Sequence, residues 1–210
     1  MYEFTKKEIR LGQIEHGFVK SSSISVANTS NKTQHITFSN ASPGLFIKII
    51  PTKLAPGEIA EITYTADTRE KENWGNTIYS ADILCNGVKT PEKFKVATLI
   101  IDNFSTLTKE QKNKSSMILA KNSSISIGNT TKGKPIEATF SLRNTGASEL
   151  IIRKAETNGK EFGIEYPQRV APGAEFTVKA RIDTSRYEGE EVFTITLITN
   201  SASRPLVNLF

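Results

Sequence analysis

Residues 140–154 read FSLRNTGASELIIRK, residues 169–184 read RVAPGAEFTVKARIDT, and residues 192–200 read VFTITLITN. Within them apolar residues recur at every second position. Phe140 shares a face with Leu142, Phe176 with Val178, Ala180 and Ile182, and Phe193 with Ile195 and Leu197. Successive side chains of a strand point to opposite faces, so this period means strands with one buried and one wet face. Turn chemistry divides them. Asparagine tolerates left-handed backbone angles and bonds its own backbone, so Asn144-Thr145-Gly146 closes a strand. Pro172-Gly173 supplies the fixed φ and the positive φ of a type II turn. Asp183-Thr184 ends a further strand through side-chain-to-backbone bonds. Short strands at regular spacing between such signals predict a β-sandwich of about seven strands.

The same pattern occurs earlier. A shift of 116 places Gly12 on Gly128, Gly17 on Gly133, Asn28-Thr29 on Asn144-Thr145, Ile36 on Ile152, Phe46 on Phe162, Pro51 on Pro167, Ala55-Pro56-Gly57 on Ala171-Pro172-Gly173 and Asp67-Thr68 on Asp183-Thr184. Met1 falls on Met117. Beyond Thr68 the shift is 114, so Gly75 meets Gly189 and Asn86 meets Asn200. The first copy therefore has the longer loop at 69–76. Its inward faces are Ile24 with Val26; Ala60, Ile62, Tyr64 and Ala66; and Tyr79, Ala81, Ile83 and Cys85. Nearly the whole 210-residue chain is one module duplicated in tandem, with a period too long for a solenoid. The expected architecture is all-β: two tandem immunoglobulin-like β-sandwich domains at 1–101 and 117–210, joined by a linker at 102–116. Thr108 and Gln111 form a capping-box pattern that starts a short helix there.

Composition narrows the function classes. Net charge is +5 with the Lys and Arg scattered, so no basic stripe speaks for nucleic acid. Mean hydropathy is −0.32, and no apolar run reaches the ~18 residues of a membrane span. The first ten residues, MYEFTKKEIR, carry no apolar signal-peptide core. One cysteine, Cys85, allows no internal disulfide and reads as a small side chain at a strand end. His16 and His35 lack a second ligand at metal spacing. Glu188, Glu190 and Glu191 sit together at a turn and read as a solvated cluster. Ser21 to Ser23 have no nucleophile-elbow context. Asp67, Glu70, Glu72 and Asn73 could wrap a calcium ion but lack the EF-hand glycine and terminal glutamate. No catalytic residue, metal or cofactor is expected.

These residues together resemble a family of uncharacterised bacterial proteins, common in Bacteroidota, related to the Hydin-type (ASH) immunoglobulin-like domains and more distantly to major-sperm-protein and PapD-like sandwiches. Leu11-Gly12-Gln13-Ile14 and Ile127-Gly128 match its first motif, Asn144-Thr145-Gly146 the second, Val170-Ala171-Pro172-Gly173 the third and Thr199-Asn200 the last. The linker at 103–116 is similar as well. Many members carry a Cys-Gly-Cys-Thr segment where this chain has Phe38-Ser39-Asn40-Ala41 and Ala155-Glu156-Thr157-Asn158. No metal or redox role carries over. The resemblance implies export, a periplasmic or cell-surface location and a chain trimmed of its signal.

The expected function is a non-catalytic extracytoplasmic protein-interaction or scaffold protein with a protein partner. Trp74, the only tryptophan, lies in the longer loop with Arg69 and Asn73, and these three are the candidate partner-binding residues. The strand at 94–101 offers backbone for strand addition if it is a sheet edge. Two alternatives stand beside this. One is a carbohydrate-binding module with Trp74 and Tyr79 as its platform, which places Tyr79 outside against its strand parity. The other is a pilus-chaperone-like periplasmic protein, on length, two Ig-like domains and basic charge.

Overall fold

The computed structural model describes residues 2–4, 9–70, 73–159 and 162–210. Met1, Lys71 and Glu72 of the expectations above lie outside these. The chain divides into two compact units, Met1–Ile100 and Ile101–Phe210, each a sandwich of two sheets.

The first unit contains β1 (Tyr2–Phe4), β2 (Ile9–Glu15), β3 (Val19–Asn28), β4 (Gln34–Ser39), β5 (Leu45–Ile50), β6 (Lys53–Leu54), β7 (Ile59–Asp67), β8 (Gly75–Cys85) and β9 (Val88–Ile101). Its sheets run β1-β3-β7-β5 and β2-β9-β8-β4-β6. The second unit contains α1 (Lys109–Asn113), β10 (Ile118–Ala120), β11 (Ile136–Asn144), β12 (Leu150–Thr157), β13 (Phe162–Glu165), β14 (Arg169–Val170), β15 (Glu175–Ile182), β16 (Ile195–Thr199) and β17 (Leu206–Leu209). Its sheets run β10-β11-β15-β13 and β14-β12-β16-β17. Helix α1 opens with the capping box: the Gln111 amide donates to Thr108 Oγ1, and the Thr108 amide donates to Gln111 Oε1. The segment before β10 is tied to the second unit, where Arg153 holds Asp102 at 2.8 Å and Ser148 Oγ donates to the Lys114 carbonyl at 2.6 Å.

The alternating residues build the two cores. Val26, Ile62 and Ile36 are fully buried in the first, and Leu142, Val178 and Leu197 in the second. Each such side chain contributes roughly 1.5–3 kcal/mol of transfer free energy. Equivalent pairings recur at the 116 shift: Val26 faces Ala60, and Leu142 faces Phe176.

Three expectations change. First, Phe162 does not replace Phe46. Leu45 faces Ala66 and Phe162 faces Ile182, so Phe162 takes the place of buried Leu45, and Gly163 that of Phe46. One extra residue precedes β13, and a slip of one residue exchanges the two faces of a strand. Second, β16 begins at Ile195. Phe193 precedes it and packs half-buried against Phe162 and Tyr187, with ring centroids 5.3 and 4.9 Å away. Third, the strand at 94–101 is no edge. It belongs to β9, which lies between β2 and β8, and Thr98 Oγ1 donates to the Gly12 carbonyl at 2.6 Å.

The matched turn motifs bond to one another. Asn144 is fully buried at the end of β11. Its Nδ2 donates to the carbonyls of Ser148, Val170 and Ala171, at 2.9, 3.1 and 3.3 Å, and its Oδ1 accepts the Gly146 and Met117 amides. Its backbone bonds Gly173 and Ala174 of the Pro-Gly turn. In the first unit Asn28 is equally buried and binds Lys32, Leu54 and Ala55 in the same way. Gly57 and Gly173 have φ of 78° and 75°, the positive angle the turn requires. Asn144→Ala strands buried carbonyls without donors and is expected to cost the second unit about 1–3 kcal/mol. In urea, the far-UV transition of that unit should move to lower denaturant while the fluorescence transition of Trp74, in the first unit, stays in place.

Candidate functional site

The loop after β7 carries the three candidate residues, and buried Thr68 fixes its base. Thr68 Oγ1 accepts the amides of Gly17 and Phe18 at 2.9 and 3.1 Å and lies 2.9 Å from the Phe18 carbonyl. Thr184 does the corresponding work in the second unit, reaching the carbonyls of Thr131 and Lys134. Asp67, adjacent to Thr68, holds Arg69 through both carboxylate oxygens, at 2.9 and 2.6 Å. This guanidinium, with the Arg69 amide, keeps the Asp67 carboxyl below its usual range. The Arg69 side chain is still 63% exposed. Asn73 hydrogen-bonds the hydroxyl of Tyr79, whose pKa is pushed up by burial.

Trp74 is half-buried against the first core and stacks on His16, with centroids 4.6 Å apart and planes at 25°. His16 Nε2 is shut off from solvent with no hydrogen-bond partner among the described residues. The structure thus brings Arg69, Asn73 and Trp74 onto one loop. It adds Thr68, Asp67 and His16 as the groups that hold them. The alignment of Asp67-Thr68 with Asp183-Thr184 was the sequence signal for the first two. No pattern announced the His16 stack, because 58 residues separate the rings.

Other candidates have structural surroundings. Asp67, of the calcium set, is engaged by Arg69, and Glu72 of that set lies outside the described residues. Cys85 is half-buried at the end of β8, its thiol 3.0 Å from Gln34 Oε1. The His35 amide donates to Asn86 Oδ1, where β4 meets the β8–β9 turn. Glu188 pairs with Lys132, and Glu190 and Glu191 are exposed. Among the described residues no helix is long and apolar enough to cross a membrane.

One strongly perturbed carboxylate escaped sequence reading. Asp82 in β8 is 2% exposed. Its Oδ2 accepts Asn40 Nδ2 at 2.9 Å and Lys89 Nζ at 2.8 Å, while Lys93 Nζ stands 3.5 Å from Oδ1. The bond from Asn40 and the charge of Lys89 lower its pKa to about 2. The β8–β9 register shifts between Asp82 and Leu84, so the two strands between them bring both lysines to one carboxylate. Such shifts mark functional sites and structural ion networks alike, and this one ties a bulged hairpin together.

The class these features define is a chain of two tandem immunoglobulin-like sandwiches. Residues 118–209, in the second unit, match a family described as protein of unknown function (DUF1573). No curated protein matches the chain. Among solved structures the chain is similar to a protein of unknown function from Porphyromonas gingivalis W83, at 16% identity over 99% of this chain and 96% of that one, with a TM-score of 0.73. That likeness shows the fold. It is also similar to the CupB2 chaperone of Pseudomonas aeruginosa (10% identity, 99% of each chain, TM-score 0.35) and the ASH/PapD-like domain 7 of human CEP192 (15% identity, 49% of this chain and 87% of that one, TM-score 0.36). Scores this low bear no weight for function.

A native carboxyl held near pH 2 stabilises the folded state fully above its ordinary value of 3.8 and loses that contribution as pH falls through about 2. The urea midpoint of the first unit, followed by Trp74 fluorescence, should therefore fall between pH 4 and pH 2. Asp82→Asn should lower the midpoint at pH 6 and flatten its fall in acid.

Proposed function

We propose that the chain is a non-catalytic protein-interaction module of a bacterial cell envelope, acting outside the cytoplasm, and that the 67–75 loop meets its protein partner. One observation carries this reading: the described side chains of the loop are held before any partner arrives. Thr68 bonds the neighbouring turn, Asp67 clamps Arg69, Asn73 bonds Tyr79 and Trp74 rests on His16. Side chains already fixed lose little freedom on association. Tryptophan and arginine are also the types that dominate interface hot spots. The likeness to the Porphyromonas gingivalis protein supports a bacterial, Bacteroidota setting.

The carbohydrate reading needs a second exposed aromatic beside Trp74. Tyr79 is 2% exposed and Trp74 has one face on His16, so the protein partner is preferred. The pilus-chaperone reading keeps only its original grounds of length, two Ig-like domains and basic charge.

The intact chain, immobilised and exposed to an envelope extract of a bacterium that encodes it, should retain a defined protein. Trp74→Ala and Arg69→Ala, each checked for folding by circular dichroism, should weaken retention about 30-fold, as loss of a hot spot near 2 kcal/mol implies. Retention unchanged in both variants moves the partner away from this loop. Retention of glycan alone, lost in Trp74→Ala, replaces the protein partner by a carbohydrate.

A further inference from the structure

The two units differ in one row of an outward sheet face. In the first, Ser21 of β3, Thr65 of β7 and Phe46 of β5 stand side by side. The Ser21 and Thr65 hydroxyls bond at 2.7 Å, and Phe46 is 57% exposed. In the second, the same row is Glu137 of β11, Arg181 of β15 and Gly163 of β13. Two differences converge here. Glycine removes the side chain at the edge, and arginine replaces threonine beside it. A Cβ on Gly163 would meet nothing closer than Arg181 Cβ at 3.8 Å. The outcome is a hollow of about 280 Å³ bounded by Gly133, Pro135, Gly163, Arg181 and Asp183.

The hollow holds an unspent cation. Among the described residues no hydrogen bond or ion pair engages the Arg181 side chain, although Glu137 stands opposite it on β11. Asp183 is turned to its own backbone, accepting the Ser185 amide at 2.9 Å, and that bond keeps its carboxyl below the usual range. A guanidinium presents a planar fork of donors that a carboxylate matches with two parallel bonds. The hollow also lies against an edge. Among the described residues β13 is the last strand of its sheet, so its outer backbone groups face a place for a further strand. On such a strand the residue opposite Gly163 points to the same face as Arg181. It would stand two strand spacings from Arg181, about 10 Å, with no side chain between. An extended arginine and a glutamate together span that gap.

We propose that Arg181 and Gly163 form a docking site for an extended segment of a partner protein that adds along β13 and places a Glu or Asp side chain opposite Gly163. This rests on the reading of the chain as a protein-interaction module and assigns it a contact surface on the second unit. The first unit lacks the site because Phe46 fills the gap and Thr65 carries no charge.

The test uses the intact, isotope-labelled chain and an acetylated, amidated peptide of alternating threonine and valine with one central glutamate. Binding should shift the NMR signals of the Gly163 and Ile164 amides and the Arg181 Nε–H. A central glutamine in the peptide should weaken binding at least tenfold. So should Arg181→Thr and Gly163→Phe, each of which restores the residue the first unit carries at that position; unchanged signals elsewhere verify folding. Equal binding of the glutamine peptide, or full affinity in Arg181→Thr, overturns the proposal. Acetate reproducing the same shifts reduces the site to a lone carboxylate pocket and overturns strand addition. Self-association abolished by Arg181→Thr would make the occupant a second copy and overturn the separate partner. These signals belong to the second unit, whereas partner capture through Trp74 is read in the first, so either reading can fail while the other stands.

Discussion

The carboxamides of Asn28 and Asn144 sit where two loops of each unit converge. Each is fully buried, and each donates to carbonyls of both the loop that follows its own strand and the Ala-Pro-Gly turn about 27 residues on. Backbone carbonyls buried at a sandwich end have no strand partner and no water, so a side chain must satisfy them. A carboxamide can do this because it carries two donors and an acceptor. Aspartate at the same place would set a carboxylate against carbonyl oxygens. The register of β3 with β7, and of β11 with β15, follows from this fastening, since the turn that starts each second strand is bonded to the end of the first.

A second fastening works at the opposite end. Thr68 and Thr184 close the loop that precedes β3 and β11 onto the end of β7 and β15. With both ends of one strand pair tied in each unit, the segments between and beyond are free to diverge. Divergence is found there: in the loop that carries Arg69, Asn73 and Trp74, and in the β5 and β13 edges, where Phe46 in one copy is Gly163 in the other. Duplication thus kept the fastenings and varied the surfaces they hold in place. Both functional proposals rest on these varied surfaces.

The contrast between Asp82 and Asp67 shows how a carboxylate is read. Both are buried, both are held below their ordinary pKa by a basic neighbour, and both lie in or at the end of a strand. Asp67 orders a loop whose arginine faces solvent. Asp82 joins two lysines across an irregular hairpin and supports the strand pair itself. The direction of the pKa is the same, and the difference lies in what each partner's far side touches.

Much of this was legible in the sequence. The period of two, the Pro-Gly turns and the 116-residue offset established two all-β sandwiches and most of their inward residues, because side-chain alternation and turn geometry are local properties of the chain. The loop with Trp74 was legible too, as the place where the copies differ in length. Tertiary structure alone decided the rest. It placed β9 between two strands, since a strand's neighbours depend on the whole sheet. It moved Phe162 from the place of Phe46 to that of Leu45, because one extra residue bulged within β12, between Ile152 and Lys154, is invisible until the backbone pairs. It stacked His16 on Trp74, gathered Lys89, Lys93 and Asn40 on Asp82, and set Arg181 beside a bare Gly163. Each of these contacts joins residues on different strands or loops, and side chains from separate elements meet only where the packed sheets bring their backbones together.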